Sequence, residues 1–252
     1  MKKEKLYLST IDDSAQHLAR KYGLGLEIAE FSTAWNLDRE FSQTDALVKE
    51  KMQGIQRFTM HGPYSELFPS AVDPLVRQVA AYRFSQTLKL AQTYGIHKVV
   101  FHGGFYEKLY FPCWFQEQSR IFWQEFAEKI PEDMTVCLEN VMETEPELLG
   151  EVLRQVNCKK LKMCLDAGHA QAYSKASPMQ WIAEYGDLID HFHIHNNDGT
   201  RDSHSPLTEG VIPMEQLFDT IEKQCPQATI TLELMEGASS VEWLLEKDIL
   251  EE

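Results

Sequence analysis

The chain has 252 residues, of which 43% are hydrophobic and 25% charged, and its formal net charge is -15 at pH 7. These proportions are ordinary for a globular protein, and the length suits one α/β barrel of about 250 residues. The acidic balance disfavours a broad nucleic-acid surface, because Lys and Arg supply most of the attraction to phosphate, although a local basic rim is compatible with it. We therefore expect one domain over residues 1–252.

The cysteines and the N-terminus bear on the compartment. The five cysteines are odd in number and show no CxxC spacing, which is typical of reduced thiols in the cytosol. Cys137 and Cys164 lie in apolar runs, so we expect both in the core. The first ten residues have no apolar signal segment, and no run reaches membrane-spanning length. The sequence predicts a cytoplasmic protein with no membrane partner, and it leaves the oligomeric state open.

The first half of the chain alternates short strands with helical stretches. The clearest helix is predicted over residues 73–95, because Pro74 occupies its first turn and Gly95 its end. The second strand carries Glu27 and Glu30, each of which needs a partner if it is buried and none at the surface. The other predicted elements are strands at residues 5–10, 25–31, 57–61 and 97–102, a helix from Asp12 to Gly23 and a helix near residues 45–54.

The second half continues this alternation. Residues 105–114 are rich in aromatic side chains, which favours packing over a rim, with a substrate wall or a docking surface as alternatives. Ser239 and Glu242 have the spacing of a capping box that would open the last helix. The predicted strands are 134–140, 161–166, 190–195 and 228–234, and the predicted helices end near 130 or cover 145–156, 178–185 and 213–224.

Eight strands, each followed by a helix or a helix-compatible stretch, require parallel strand pairing. Units of this size predict a closed α/β fold, a single (β/α)8 TIM barrel. The carboxyl ends of its strands would then meet at one rim, where barrel active sites lie.

The seventh strand is unusual. Phe192 and Ile194 share one face, whereas His191, His193 and His195 share the other. Asn-Asn-Asp-Gly follows and ends the strand, which leaves His195 at its carboxyl end. Three histidines on one face indicate either satisfied side chains in a polar cavity or a binding site.

The other strand ends favour the binding site. Six of them carry a side chain of a metal-binding type, and further residues of this kind follow strands six and seven. Any one of these could be structural, but the set is hard to obtain by accident. Imidazole with carboxylate suits Zn, Mn, Fe or Co better than Mg alone. The residues are His61, His102, Glu139, Asp166, His195 and Glu233 at the strand ends, with His169, Asp202 and His204 beyond them.

Five motifs resemble those of the xylose isomerase-like TIM barrels, a superfamily that includes sugar and sugar-phosphate isomerases and epimerases and the type-IV apurinic endonucleases. The resemblance covers nearly the whole chain and is specific to the superfamily rather than to one reaction. The motifs are His61-Gly-Pro-Tyr64, Leu138-Glu-Asn140, Asp166-Ala-Gly-His169, His195-Asn-Asn-Asp198 and Glu233.

The epimerase branch implies one divalent metal held by two glutamates, an aspartate and a histidine, which match Glu139, Glu233, Asp166 and His195. The two glutamates would also act as the catalytic acid/base pair. The resemblance further implies that His169 binds a substrate oxygen and that Arg201 anchors the substrate. Our first hypothesis is therefore a metal-dependent isomerase or epimerase acting on a sugar or sugar phosphate.

The endonuclease branch implies up to three zinc ions, and all nine of its ligands have counterparts among the residues named above. A multi-zinc phosphodiesterase is thus the second hypothesis. Against it, the loops lack an Arg/Lys cluster, and Asp166-Ala-Gly-His169 departs from the cysteine-containing form of the endonucleases. A third hypothesis is a barrel that binds metal or a small ligand without turnover, which would not need both glutamates.

Overall fold

The computed structural model describes residues 1–251. Eight parallel strands pair in chain order and close into a barrel, since the first strand also pairs with the last. The predicted (β/α)8 fold is confirmed. The strands are β1 (Leu6–Ser9), β2 (Gly25–Ile28), β3 (Phe58–His61), β4 (Lys98–His102), β5 (Thr135–Glu139), β6 (Leu161–Asp166), β7 (Ile189–Ile194) and β8 (Thr229–Leu232).

The α-helices surround this barrel, and each connection between consecutive strands contains at least one of them. They are α1 (Ala15–Tyr22), α2 (Ala34–Asp38), α3 (Phe41–Met52), α4 (Pro74–Thr93), α5 (Pro112–Ala127), α6 (Glu147–Val156), α7 (Ala167–Tyr173), α8 (Pro178–Tyr185), α9 (Met214–Gln224) and α10 (Ala238–Glu246).

The main core lies between the strands and the helices. Because side chains alternate along a strand, Leu26 and Ile28 of β2 face this core, while Glu27 between them points into the barrel. Phe84 of α4 stacks on Trp123 of α5 with 5.6 Å between ring centroids, which joins the two helices. The barrel interior holds polar side chains together with a small separate cluster of Val100, Cys137 and Cys164.

Two differences from the predicted elements bear on the site. Helix α7 begins directly after β6, where the sequence predicts only a turn. Asp166 caps this helix by accepting a hydrogen bond from the His169 N–H at 2.6 Å, and seven residues are too few to show helical periodicity. Strand β7 ends at Ile194, so His195 lies just beyond the strand rather than in it.

The capping box predicted at Ser239 and Glu242 is wrong. Helix α10 begins at Ala238 and has no side-chain cap, because Ser239 lies within its first turn and donates to Glu236 Oε2 at 3.1 Å. A reciprocal capping box forms instead at Ser177 and Gln180, at the start of α8.

The aromatic segment serves mainly as packing. Phe105 and Tyr110 are buried in a satellite cluster with Phe115, whereas Phe111 is 81% exposed. Cys137 and Cys164 are buried, as expected. Within residues 1–251, none of the helices combines the length and apolarity needed to cross a bilayer.

Candidate metal centre

Side chains of metal-binding type converge where the strands end. Of four such groups among residues 1–251, the two largest contain four residues each, and in each of these clusters one potential ligand atom per residue lies within 4.8 Å of all the others. We call them the carboxylate cluster, made of Glu139, Asp166, His193 and Glu233, and the histidine cluster, made of His169, His195, Asp202 and His204.

In the carboxylate cluster, three acidic groups surround one imidazole nitrogen. His193 Nδ1 lies 3.0 Å from Glu233 Oε2, 3.4 Å from Glu139 Oε1 and 4.0 Å from Asp166 Oδ2. Glu139, Asp166 and His193 are at most 1% exposed, while the Glu233 side chain is 12% exposed toward the cavity.

The histidine of this cluster differs from the one assigned from the sequence. His193 completes this group, whereas the predicted ligand His195 lies in the histidine cluster with its Nε2 3.2 Å from Asp166 Oδ1, so its role as a metal ligand stays a prediction. The two histidines of β7 and His195 just beyond it lie at different depths along the barrel, and His193 is level with Asp166 of β6 and Thr231 of β8.

His195 connects the two clusters. Its Nε2 is 3.2 Å from Asp166 Oδ1 and 3.4 Å from Asp202 Oδ1. The ring occupies the space that a side chain at Gly168 would fill, so a β-carbon there would overlap it. The absence of a side chain at Gly168 is thus what lets His195 reach Asp166.

Glu139 also faces a pair of histidines with its second oxygen. His61 Nε2 lies 3.1 Å and His102 Nε2 3.5 Å from Glu139 Oε2. The ring of Tyr64 stacks on His102 with 4.4 Å between centroids, at the edge of the cavity. The predicted ligands His61 and His102 are therefore connected to the carboxylate cluster through Glu139.

The remaining predicted ligands are bridged by Asp202. His169 Nε2 and His204 Nε2 both lie 3.2 Å from Asp202 Oδ2. His204 has a positive φ of 45°, so a histidine is held there in a conformation that non-glycine residues seldom adopt. Functional sites often contain such strained residues.

The ring orientations can be assigned from the partners of each Nδ1. In His61, His169 and His204, Nδ1 lies 2.8–3.0 Å from a backbone carbonyl, to which it can only donate. The lone pair of each Nε2 then faces a carboxylate, and two acceptors at such short range require a proton or a cation between them. Metal-bound histidines are held in this same way.

Several buried atoms support the same interpretation. Within residues 1–251, six atoms of the two clusters are buried without an aligned hydrogen-bond partner, and one of them, His193 Nε2, faces Glu27. Unpaired buried polar atoms are rare in native proteins and call for an explanation. Divalent cations bound in the two clusters would satisfy the other five, so the donor set fits a metal. These five atoms are Asp166 Oδ2, Glu233 Oε2, His193 Nδ1, His195 Nε2 and Asp202 Oδ1.

The ionisation states of these side chains are set by contacts among them rather than by solvent. Burial alone would raise the pKa of Glu139 and of Glu233, but the nearby His193 holds both below their usual range. Burial would lower the pKa of His204, yet Asp202 and Glu233 raise it to about 9. Both glutamates are therefore ionised at neutral pH and can accept a proton.

Asparagines that the sequence analysis did not single out build the frame of the site. The Asn140 side chain accepts from the Asp166 N–H at 2.8 Å and donates to the Asp166 carbonyl at 3.0 Å, which ties β5 to β6. Asn196 donates to the Leu207 carbonyl at 2.9 Å and accepts from the Ile212 N–H at 3.0 Å. Asn140 lies in the Leu138-Glu-Asn140 motif, and Asn196 lies in the His195-Asn-Asn-Asp198 motif. Each directly follows a predicted ligand in the sequence, and this position is the signal that could have identified it.

Arg201 does not reach the cavity. Its side chain is 77% exposed, and its nearest ionic partner is Asp198 at 3.9 Å. The anchoring role inferred from the resemblance therefore stays a prediction.

The cavity above the clusters has a volume of about 540 Å³, within the range of about 300–1,000 Å³ that is common for small-molecule sites. Its floor is formed by the ligand-type residues and its walls include Ile11, Tyr64, Val141 and Met235.

The chain belongs to the family described as "Xylose isomerase-like TIM barrel", whose sequence model matches residues 17–247. The resemblance inferred from the motifs is thereby confirmed. The uncharacterized protein MJ1311 of Methanocaldococcus jannaschii is 27% identical over 188 residues, which are 69% of this chain and 63% of that protein. The chain thus spans somewhat less than two thirds of this relative.

Solved structures share the fold. The TTHB071 protein of Thermus thermophilus, soaked with ZnCl2, has a TM-score of 0.78 at 24% identity, covering 96% of this chain and 97% of that one. A D-tagatose 3-epimerase-like protein has a TM-score of 0.77 at 19% identity, covering 97% and 96%. The 3-keto-D-glucoside 4-epimerase of E. coli has a TM-score of 0.72 at 17% identity, covering 97% and 100%.

Proposed function

We propose that this protein is a metal-dependent isomerase or epimerase of a sugar or sugar phosphate. The observation that carries the proposal is the carboxylate cluster, in which two ionised glutamates from non-adjacent strands face one cavity. Glu139 ends β5 and Glu233 follows β8, so they reach a bound substrate from different sides.

Glu139, Asp166 and Glu233 would hold the metal together with a histidine of β7, which the contacts suggest is His193. When bound, a divalent ion of zinc, manganese, cobalt or iron would polarise the oxygens of a substrate carbonyl. One ion is expected in this cluster, and the histidine cluster offers donors for more.

The chain itself would move the protons. A hydrogen on the carbon beside a carbonyl is weakly acidic, so its removal needs a base within about 3 Å. Glu139 and Glu233 both line the cavity, and neighbouring imidazoles keep their carboxylates ionised. One glutamate would remove the proton, and return of a proton by the other to the opposite face of the same carbon would invert that carbon. In an isomerase, the proton would instead go to the former carbonyl carbon while the neighbouring hydroxyl gives up its proton and becomes the new carbonyl.

Two further facts support this assignment. Two of the structurally similar proteins carry names of sugar epimerases, and a third was soaked with ZnCl2. The family includes isomerase-type barrels by its description. The identities of this chain's substrate and metal are part of the proposal.

Solvent exchange tests the proposal. Candidate ketoses and their phosphates are incubated in deuterium oxide with the metal-loaded protein, and deuterium at the carbon beside the carbonyl is measured by NMR. Wild type should exchange at least one sugar, and chelation should stop the exchange. Glu233→Gln should exchange none, whereas Glu209→Gln, which alters an exposed carboxylate of the loop after β7, should behave as wild type.

The histidine cluster favours a second candidate, a multi-metal phosphodiesterase, because it adds donors beyond those that one ion needs. DNA phosphates are held by Lys and Arg, and the described residues that line the cavity include neither. Metal-dependent nicking of abasic DNA, with no sugar exchanged, would replace the first candidate by this one.

A further inference from the structure

A row of hydrogen-bonded polar side chains lies inside the barrel beneath the carboxylate cluster. It starts at Lys98 of β4 and continues through Thr229 and His191 to Glu27 of β2, and we call these four residues the polar column. The side chains of His191 and Glu27 are 0% exposed. None of the four lines the substrate cavity, so they can act on the site only through other residues.

The hydrogen bonds of the column have one direction. The Lys98 ammonium can only donate, and it donates to Thr229 Oγ1 at 2.7 Å. The Thr229 hydroxyl has two possible acceptors, His191 Nδ1 at 2.6 Å and the more distant Asp190 carbonyl at 3.4 Å, and we assign its proton to the shorter contact. This assignment leaves the His191 proton on Nε2, which lies 2.9 Å from Thr231 Oγ1 and 3.1 Å from Glu27 Oε2.

Glu27 is saturated on one oxygen and free on the other. Its Oε2 accepts from Thr59 Oγ1 at 3.0 Å and from Thr231 Oγ1 at 3.1 Å, besides His191. Its Oε1 has no aligned hydrogen-bond partner among residues 1–251. The nearest nitrogen to Oε1 is His193 Nε2 at 2.9 Å. This distance is short enough for a hydrogen bond between the imidazole and the carboxylate.

We propose that Glu27 is a positioning residue that keeps the proton of His193 on Nε2 and thereby turns the Nδ1 lone pair onto Glu139, Asp166 and Glu233. The inference rests on the metal centre of the proposed function. A carboxylate behind a metal-bound histidine orients the ring and makes it a stronger ligand, and its loss typically costs 10–100-fold in metal affinity.

His193 differs in this respect from the other site histidines. The Nδ1 atoms of His61, His169 and His204 contact backbone carbonyls, which no side-chain substitution removes. His193 alone among these four contacts a carboxylate on the side away from its cluster. A change at Glu27 should therefore act on the site through His193.

Glu27→Gln keeps the size of the side chain and removes its charge. Zn2+ affinity is measured by competition with a chromophoric chelator, and the absorption spectrum of the Co2+ form is recorded. We expect 10–100-fold weaker binding and a changed Co2+ spectrum. The matched control is Glu143→Gln, compared at pH 8, above the Glu143 pKa of about 7, where it removes the charge of another buried glutamate outside the column. It should leave both readouts unchanged. Unchanged affinity and spectrum in Glu27→Gln would overturn the proposal.

The same variant in a His193→Asn background separates positioning from a general loss of structure. If Glu27 acts through His193, its substitution should have little further effect on Zn2+ affinity there. An equal loss in both backgrounds would show that Glu27 acts by another route and would overturn the proposal.

A measurement on the unaltered protein keeps the proposal testable if Glu27→Gln does not fold. Protein with 15N-labelled histidines is loaded with 113Cd2+, and NMR should show coupling of the metal to His193 Nδ1 with the proton on Nε2. A proton on Nδ1, or no coupling, would overturn the proposal. None of these readouts needs turnover, so failure of the sugar assay would leave them interpretable.

Discussion

The histidines of this protein differ in pKa because their neighbouring side chains differ. His191 lies under the site, where burial lowers its pKa to about 4, so it is neutral and serves as a fixed donor to Glu27. In His204, burial would also lower the pKa, but the carboxylates of Asp202 and Glu233 raise it to about 9. The neighbours thus decide which imidazole is structural and which is suited to a cation.

Glu143 allows a residue-level test on metal-free protein. Burial raises the pKa of Glu143 from 4.5 to about 7, although the hydrogen bond that the Val141 N–H donates to it at 2.6 Å acts to lower this pKa. Between these values the unfolded chain binds fewer protons than the folded one, so this group makes stability fall as pH rises. Relative to wild type, Glu143→Gln should gain up to about 3 kcal/mol of unfolding free energy between pH 4 and pH 8.

Urea unfolding of chelator-treated protein across this pH range measures the difference. Glu209→Gln, an exposed counterpart, should show a difference that does not change with pH. If the gain of Glu143→Gln were constant or shrank with rising pH, a raised pKa at this position would be wrong.

The sequence predicts which residues meet at the barrel rim better than it predicts how deep each residue lies in the barrel. Strand alternation and the barrel rule bring His61, Glu139 and Glu233 to one rim, which follows from the pattern alone. Alternation treats His191, His193 and His195 as equivalent. Their different roles depend on the register between β6, β7 and β8, which has no signature in a single strand.

At the scale of elements, the junction of β6 and α7 places ligands of both clusters. Asp166 ends the strand and caps the helix, and His169 lies in the first turn of that helix. The Gly168 position within this turn makes room for His195. Since the helix is only seven residues long, its cap rather than any periodicity defines it, which is why the sequence predicted a turn.

Gly168→Ala tests this junction. The added β-carbon would overlap the His195 ring, so we expect a loss of about 1–3 kcal/mol in unfolding free energy together with weaker metal binding. In a His195→Ala background the space is free, and the same substitution should cost much less. Chemical unfolding of the four proteins measures both effects.

Gly237→Ala is the matched control, because a β-carbon there meets only Asp12 Oδ2 at 3.0 Å and Leu18 Cδ1 at 3.7 Å. It should cost less than Gly168→Ala and leave metal binding unchanged. Equal costs at Gly168 with and without the His195 ring would contradict the packing argument.

At the scale of the molecule, a chain of net charge -15 brings three carboxylates, those of Glu139, Asp166 and Glu233, together in one cluster at the barrel rim. Unpaired buried charges destabilise a fold, and an ion that binds only the folded state stabilises it. A metal at 100 times its dissociation constant should add about 2.7 kcal/mol to the unfolding free energy of chelated protein.

This gain should depend on the carboxylate cluster. Glu233→Gln should lose most of it, whereas Asp202→Asn, which alters only the histidine cluster, should retain most of it. Thermal unfolding with and without added Zn2+ or Mn2+ gives the comparison. No stabilisation in wild type, or an equal loss in both variants, would argue against one tightly held ion in the carboxylate cluster.

The most direct test of the metal centre is anomalous diffraction from crystals of zinc-loaded protein, recorded above and below the zinc absorption edge. One strong anomalous peak enclosed by Glu139, Asp166, His193 and Glu233 is the expected result. Additional peaks of equal strength beside His61 and His102 and beside His169 and His204 would favour the multi-metal phosphodiesterase. A map with no peak between the three carboxylates would contradict the metal centre and the proton transfer inferred from it.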